Sequence, residues 1–173
     1  MDQHENSRPT IDHASRDDLE AVTELWVRLA REQREHDSYV RAEANRETMR
    51  ETLAAHQVTD GLLVARAGGR IVGFASVSLE RGSLELEATR GLLSNVYVVP
   101  AYRGRGVGTA LLEAAEAELA DRGAEVVILE VMARNEAARR FYDRHGYDAY
   151  RVGMERSLAD DHSKNDTHSK EDS

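Results

Sequence analysis

The sequence predicts a single α/β domain in which a mixed, mainly antiparallel sheet is flanked by helices. The chain has 173 residues, which is the length of one domain and enough to bury about 68–70% of the surface that the unfolded chain exposes. Some segments place apolar residues at helical spacing and others at alternate positions. In the second half, strands alternate with single helices, which predicts parallel pairing, whereas a hairpin in the middle predicts antiparallel pairing.

Periodicity divides the chain into strands and helices. The predicted strands are Thr10–Ala14, Leu62–Arg66, Ile71–Leu79, Leu92–Val99, Val126–Met132 and Tyr147–Ser157. The predicted helices are Asp18–Arg34, Ala44–His56, Thr109–Arg122 and Glu136–His145. Gly68-Gly69 forms the turn of the hairpin, because glycine adopts a positive φ without steric strain. Asp17 and Asn135 are expected to cap helices, and Gly123 and Gly146 to end them.

Both ends of the chain are polar, so the domain is expected to span residues 10–158. Residues 1–9 are predicted to be loose, and residues 159–173 to form a disordered acidic tail. His162 and His168 lie among the acidic residues of that tail, where a mobile segment explains them better than a metal site. No signal peptide is visible at the start of the chain, and its apolar stretches are far shorter than the roughly 20 residues that cross a bilayer.

The charge balance argues against several classes of partner. The chain carries 23 basic and 32 acidic side chains, a formal net charge of −9. A negative surface repels phosphate at long range, so neither nucleic acid nor a membrane surface is expected as a partner. The chain contains no cysteine, which excludes disulfides, iron–sulfur clusters, thiolate zinc sites and a cysteine nucleophile. This composition is compatible with a reducing cytosol, and we expect a cytoplasmic protein.

A glycine-rich loop from Arg103 to Thr109 connects a predicted strand with a predicted helix. Its glycines let the backbone approach a ligand closely, and the start of the helix carries about half a positive charge. Arg103 and Arg105 add charge that suits phosphate. The spacing Gly-x-Gly-x-Gly departs from the dinucleotide fingerprint, and the Gly-Lys-Ser/Thr end of a nucleoside-triphosphate loop is missing. The sequence therefore predicts an anion cradle and disfavours a nucleotide-binding oxidoreductase.

Two motifs resemble the GNAT superfamily, the Gcn5-related N-acetyltransferases. The loop matches the superfamily pattern Arg/Gln-x-x-Gly-x-Gly/Ala at Arg103, Gly106 and Gly108. Residues 129–147 resemble the branch that acetylates the N-terminal amines of ribosomal proteins, in which a glutamate, an asparagine and a tyrosine recur at these intervals. The resemblance implies a sheet with splayed central strands and an enzyme that transfers an acetyl group from acetyl-CoA directly to a primary amine, without a metal.

The resemblance also implies roles for single residues. The Tyr142 hydroxyl would protonate the departing coenzyme A thiolate as general acid, and Glu130 would act as the base that accepts a proton from the amine. The backbone groups of Val96, Tyr97 and Val98 would pair with the pantetheine arm, and one N–H would polarise the thioester carbonyl. The other residues that would bind the cofactor are Arg103, Gly104, Arg105, Gly106, Val107, Gly108 and Thr109, around the pyrophosphate, and Asn135, on the cofactor arm.

Several alternatives stay open at this stage. Other branches place the catalytic carboxylate on the strand before the loop, where Leu92–Val99 has none, and Glu85 and Glu87 are the nearest other candidates. The acceptor is expected to be a protein N-terminus, a lysine or a small amine. Its site is expected to involve residues 35–43, the first two helices and the last hairpin. A non-catalytic acyl-CoA-binding sensor or scaffold is the alternative to an enzyme. Related folds often pair through sheet edges or the last strand, so a homodimer is also possible.

Overall fold

Five strands form one sheet in the computed structural model, which describes residues 8–82 and 84–159. The strands are β1 (Thr10–His13), β2 (Leu62–Ala67), β3 (Arg70–Leu79), β4 (Arg90–Val98) and β5 (Val126–Leu129). Their order in the sheet is their order in the chain, and the first four are antiparallel neighbours. β5 runs parallel to β4. The prediction of a mixed, mainly antiparallel sheet is thus confirmed.

Four α-helices cover the two faces of the sheet. They are α1 (Leu19–Gln33), α2 (Arg46–Val58), α3 (Val107–Asp121) and α4 (Glu136–Arg144). Trp26 and Leu53 place α1 and α2 in one core with Phe74 of β3. Leu111 and Leu112 place α3 in a second core on the other face. The central strands contribute apolar residues to both cores, as expected for strands that are covered on two sides.

The turn between β2 and β3 confirms the predicted hairpin. Gly68 has a φ of 56° and Gly69 a φ of 76°. Both central residues of a type I′ turn need a positive φ, which glycine adopts without a clash between Cβ and the backbone. The turn therefore fixes the antiparallel register of β2 and β3.

The predicted N-cap at Asp17 is wrong. A short 3₁₀ helix begins at Arg16, and the residue that caps it is Ser15. The Ser15 backbone N–H donates to the Asp18 carboxylate at 2.7 Å, in a capping box that leaves Asp17 exposed. The helix starts earlier because a serine followed three residues later by an acid satisfies two backbone groups reciprocally, which Asp17 cannot do.

β4 and β5 separate along their length, as the resemblance implied. They pair only between residues 90–93 and 126–129, and β4 continues to Val98 without β5 beside it. Ser94 forms a β-bulge at the point of separation, since Leu93 pairs with Val77 and Asn95 with Ser76, which leaves Ser94 without a partner on β3. The bulge and the splay open a cleft between the two strands.

Two predictions about the last strands are wrong. β5 ends at Leu129 rather than Met132, because the splay removes the hydrogen-bonding neighbour beyond that point. Residues 147–158 contain no strand, although their apolar residues alternate. Tyr150, Val152 and Met154 are 72%, 81% and 94% exposed, so no strand of the described sheet covers them or supplies ladder hydrogen bonds.

The ends of the chain lie largely outside the described residues. Of the segments that we expect to be loose, residues 1–7 and 160–173 fall there, together with His162 and His168. Within residues 8–82 and 84–159, no helix has the length and hydrophobicity needed to span a bilayer.

Candidate active site

The cleft between β4 and β5 brings together residues from four parts of the chain. Ser94 and Val96 line it from β4, and Glu130 lines it just after β5. Asn135 and Tyr142 line it from the start and the body of α4, and Leu29 and Gln33 line it from α1. The cavity has a volume of about 80 Å³. Four of the predicted site residues, Val96, Glu130, Asn135 and Tyr142, therefore meet in one place.

The backbone of β4 presents alternate residues to the cleft. The Val99 N–H donates to the Val72 carbonyl at 2.9 Å, so the backbone groups of Val99 point toward β3. In antiparallel pairing this direction alternates along the strand, so the backbone N–H and C=O groups of Val98 and Val96 point toward the side where β5 has splayed away. The Tyr97 backbone faces β3, and its ring packs in the α1 core. Of the three β4 residues that we expect to contact the cofactor arm, Tyr97 is thus the one whose backbone and ring both point away from the cleft.

Tyr142 lies on α4 with its hydroxyl in an environment of reduced water access. Burial raises the pKa of this phenol to about 12, from an ordinary value of 10.0. Its ring packs edge to face against Phe141, at 5.2 Å between ring centroids, and against Tyr147, at 5.7 Å. At neutral pH the group is a neutral hydrogen-bond donor fixed at the cleft wall.

Asn135 has two compatible roles at the start of α4. Its Oδ1 accepts a hydrogen bond from the Ala138 backbone N–H at 3.1 Å, which confirms the predicted N-cap. The carbonyl oxygen is used by the cap, so the two amide hydrogens remain available as donors to a ligand in the cleft.

The carboxylates predicted as alternative bases are in different places. Glu130 lines the cleft and is exposed to water. Glu85 and Glu87 are exposed in the connection between β3 and β4 and are not part of the cleft wall. Of these three carboxylates, Glu130 is thus the one that can reach a ligand in the cleft.

The glycine-rich loop forms an open backbone cradle at the start of α3. Gly104 and Gly106 have positive φ values of 73° and 82°, and Gly106 is the N-cap of α3. A Cβ at either position would meet no atom within 4 Å, so the space beside these two Cα atoms is open. Exposed N–H groups at a helix start, beside arginine side chains, suit the phosphates of a ligand such as coenzyme A.

The side chains of this loop do not all face the cradle. Val107 is buried in the α3 core, so it can offer only its backbone N–H. The Thr109 hydroxyl lies 3.1 Å from Nε2 of His145, whose Nδ1 donates to the Phe141 carbonyl at 2.7 Å. Arg103 and Arg105 are both exposed, but Arg103 is hydrogen-bonded to the Val98 carbonyl and to Glu32.

Sequence reasoning did not identify every residue near the site. The Ser94 bulge, the α1 residue Gln33 at the cleft and the contact of His145 with Thr109 were not predicted. Glu32 was also missed, and it accepts hydrogen bonds from both Tyr97 and Arg103. No local sequence pattern marks these residues, because the partner that each of them contacts lies many positions away in the chain.

Comparison with known proteins decides the family. The sequence model of the acetyltransferase (GNAT) family matches residues 19–147. The chain belongs to this family. Its GNAT relatives include N-alpha-acetyltransferase 30 of Schizosaccharomyces pombe, which is 33% identical over 98 residues, covering 56% of this chain and 63% of that protein. An uncharacterised N-acetyltransferase of Archaeoglobus fulgidus is 30% identical over 132 residues, covering 76% of this chain and 88% of the relative.

Solved GNAT structures share the fold. A GCN5-related N-acetyltransferase from Ralstonia eutropha is 25% identical, with a TM-score of 0.70 over 88% of this chain and 100% of that one. PaiA N-acetyltransferase from Thermoplasma acidophilum, solved in complex with coenzyme A, is 20% identical, with a TM-score of 0.69 over 85% of this chain and 94% of that one. The predicted GNAT fold is therefore confirmed. The match to the Schizosaccharomyces pombe protein spans less than two thirds of that relative's length.

Proposed function

We propose that the protein is an N-acetyltransferase that transfers the acetyl group of acetyl-CoA to a primary amine in a ternary complex. The observation that carries this proposal is the cleft between the splayed ends of β4 and β5, which Tyr142 and Glu130 line. Phe141, next to Tyr142, packs against Gly108 of the glycine-rich loop. Membership of the GNAT family supports the reaction class. The proposal includes a cytoplasmic location, which cell fractionation tests.

Donor binding is assigned to the loop, β4 and α4. The backbone N–H groups of residues 104–109 would bind the pyrophosphate, whose negative charge the start of α3 favours. On the side away from β3, Val96 offers its backbone groups to the pantetheine arm, and Val98 offers its N–H, because the Val98 carbonyl accepts a hydrogen bond from Arg103. The Asn135 amide would donate to the same arm. Acetyl-CoA supplies the activated acetyl group, and this chain's residues orient it.

Tyr142 is assigned to the leaving sulfur. A free thiol has an ordinary pKa of about 8.5, below the pKa of about 12 that burial gives to this phenol, so the phenol holds its proton more tightly than a free thiol does. The phenol therefore stabilises the developing thiolate mainly by donating a hydrogen bond. Burial keeps this donor protonated at every pH at which an amine acceptor reacts.

Glu130 is assigned to the amine. A primary amine attacks only when it is neutral, and ordinary pKa values are about 7.7–8.0 for an α-amine and about 10.4 for lysine. A carboxylate on the cleft wall can accept the proton directly or through one water molecule. Similarity to an N-alpha-acetyltransferase makes a peptide with a free N-terminus the first acceptor to test, ahead of lysine and small amines.

Titration calorimetry with acetyl-CoA and with coenzyme A, at low and high salt, tests the donor site. We expect one-site binding of both, followed by acetylation of a peptide N-terminus in an acceptor screen. Folded protein that binds neither ligand at any salt concentration contradicts the proposal. Binding without turnover on any amine would favour the alternative, a non-catalytic acyl-CoA-binding sensor or scaffold.

A homodimer is a second part of the proposal, and residues 150–156 support it. Tyr150, Val152 and Met154 alternate along this segment, and all three are highly exposed. If two copies pair antiparallel about Gly153, Val152 lies opposite Met154 and Arg151 lies opposite Glu155, on both sides of a two-fold axis. The segment is thus complementary to itself in charge and in apolar character.

Sedimentation of a charge-swap series tests this dimer. Arg151→Glu places two acids opposite each other and should shift the protein toward monomer, whereas the double variant Arg151→Glu with Glu155→Arg should restore the dimer. A protein that stays monomeric at high concentration contradicts the homodimer. A dimer that neither substitution changes contradicts the role of this segment.

A further inference from the structure

Arg103 of the glycine loop is already engaged by three groups of the protein. Its Nε donates to the Val98 carbonyl at 2.9 Å, and its Nη2 donates to a carboxylate oxygen of Glu32 at 2.8 Å. The guanidinium also lies over the ring of Tyr97, at 5.5 Å from the ring centroid. The side chain is therefore fixed between the end of β4 and the end of α1.

Glu32 is held in turn by a buried hydroxyl. The Tyr97 hydroxyl donates to the other carboxylate oxygen of Glu32 at 2.9 Å, and Tyr97 is buried beneath the loop. Burial and this hydrogen bond both raise the pKa of the Tyr97 phenol, so it remains a donor. One negative charge thus compensates Arg103, and the Glu32–Tyr97–Arg103 cluster joins α1, β4 and the loop.

Arg105 is in a different situation two residues later. It is exposed between Gly104 and Gly106, the two glycines whose open backbone forms the cradle. Its guanidinium lies 5.3 Å from the ring centroid of Tyr102, which gives it a preferred position over the loop. Within residues 8–82 and 84–159 no acid forms an ion pair with it. Its positive charge is uncompensated by these residues.

We infer that the two loop arginines have different roles: Arg105 contacts the phosphate oxygens of the donor, and Arg103 is a positioning residue that sets the loop through Val98 and Glu32. This inference rests on the proposed function, because it assumes a coenzyme A donor in the cradle. It also assigns to Glu32 the role of compensating the charge of Arg103.

The two roles differ in how they respond to salt. An uncompensated guanidinium attracts an anion over a distance that falls from about 10 Å at 0.1 M salt to about 3 Å at 1 M salt. A guanidinium paired with a carboxylate contributes little to that long-range attraction. The salt dependence of coenzyme A binding should therefore come from Arg105 and not from Arg103.

Calorimetry of coenzyme A binding over a salt series, with the full chain, tests this division. We expect Arg105→Ala to weaken binding about tenfold at low salt and to make its salt dependence shallower. Arg103→Met keeps the apolar stem over Tyr97, and we expect it to lower the melting temperature and to leave the salt dependence as in the unsubstituted protein. Glu32→Gln leaves Arg103 uncompensated, so binding should tighten about threefold at low salt and depend more steeply on salt.

The outcomes separate this inference from the proposed function. If the unsubstituted protein does not bind coenzyme A, the proposed function fails. If it binds and Arg105→Ala has no effect, or Arg103→Met flattens the salt dependence as strongly, the division of roles is overturned. If Glu32 had only a structural role, Glu32→Gln would not make coenzyme A binding depend more steeply on salt. An unchanged salt dependence in a folded Glu32→Gln variant therefore also overturns the division of roles. Repeating the salt series with 3′-dephospho-coenzyme A identifies the phosphate that Arg105 contacts. If Arg105→Ala still weakens binding, Arg105 contacts the pyrophosphate. If the effect of Arg105→Ala disappears, Arg105 contacts the 3′-phosphate.

Discussion

Asn135, the N-cap of α4, lies seven residues before Tyr142, and both residues line the cleft between β4 and β5. Residues at this spacing share one face of a helix, because 3.6 residues complete each turn. The cap at Asn135 therefore fixes the start of the same helix that carries Tyr142. Since Asn135 would bind the donor and Tyr142 would act on its sulfur, substitutions at the two positions should separate binding from chemistry.

Removal of the Tyr142 hydroxyl should impair the chemical step. We expect Tyr142→Phe to lower kcat about 10²-fold, since a positioned donor at the leaving group contributes about this factor. Coenzyme A affinity should stay within about twofold, because the ring and its aromatic contacts remain. Steady-state kinetics and calorimetry measure the two effects. Tyr147→Phe is the matched control, since Tyr147 packs against Tyr142 outside the cleft lining, and equal losses in both variants would contradict the assignment.

The pH profile should report the amine and not the phenol. Burial raises the pKa of Tyr142 to about 12, so the acid form that the reaction needs is lost only above the usual assay range. We expect kcat/KM to rise with pH and to level off near the pKa of the acceptor, about 8 for a peptide N-terminus and about 10.4 for lysine. A decrease in kcat/KM as the pH rises, at pH values well below 12, would contradict the raised pKa if that decrease disappears in Tyr142→Phe.

Glu130 should act on the acceptor side of the reaction. We expect Glu130→Gln to lower kcat/KM for an amine about 10²-fold, because the amide cannot accept the proton, and to leave coenzyme A binding unchanged. Glu85→Gln and Glu87→Gln remove the same charge away from the cleft and serve as controls. A loss confined to either control variant would assign the base to the β3–β4 connection instead.

The conformation of the loop should depend on Gly106. Its φ of 82° is in the left-handed region, so Gly106→Ala should destabilise the fold by about 1–2 kcal/mol, and it should also weaken coenzyme A binding. Thermal unfolding measures the first effect and calorimetry the second. Gly108→Ala is the comparison for stability, because its Cβ would lie 3.6 Å from the Phe141 ring, an ordinary contact, and we expect unchanged or higher stability. Equal destabilisation by both variants would contradict the argument.

The Asp18–Arg66 pair should make stability depend on acidity. Arg66 donates to both carboxylate oxygens of Asp18, at 3.1 and 2.5 Å, and this hydrogen bonding lowers the pKa of Asp18 below 3.8. A folded-state pKa below the unfolded-state pKa contributes stability that is fully present above the unfolded-state pKa and is lost as the pH falls through the folded-state pKa. Asp18→Asn should therefore lower stability at neutral pH by about 1–3 kcal/mol and flatten the acid dependence.

Urea unfolding over a pH series checks this prediction. Asp17→Asn is the matched control, because it removes the same charge from an exposed position one residue away. A variant of Asp18 that retained the acid dependence of the unsubstituted protein would show that the dependence arises elsewhere.

Local pattern was sufficient for most of the fold. Helix periodicity located α1, α2, α3 and α4 to within two residues at every end, and the double glycine located the hairpin. The cap at Asn135 follows from one side chain and the backbone next to it. Asp17 was misassigned because two polar residues of similar propensity compete for one cap, and the reciprocal bonds of Ser15 and Asp18 decide between them.

By itself, the sequence determined the class of the domain, the glycine cradle and the candidate residues Glu130, Asn135 and Tyr142. The class and the cradle follow from periodicity and short motifs, which depend on neighbours a few positions away, and the resemblance to the GNAT superfamily supplies the three candidate residues. The tertiary structure alone decided where β4 and β5 separate, that residues 147–158 form no strand, and that Glu32 compensates Arg103. Each of these depends on a partner distant in the chain, because a strand needs a neighbour for its hydrogen bonds and a charge needs an opposite charge within reach.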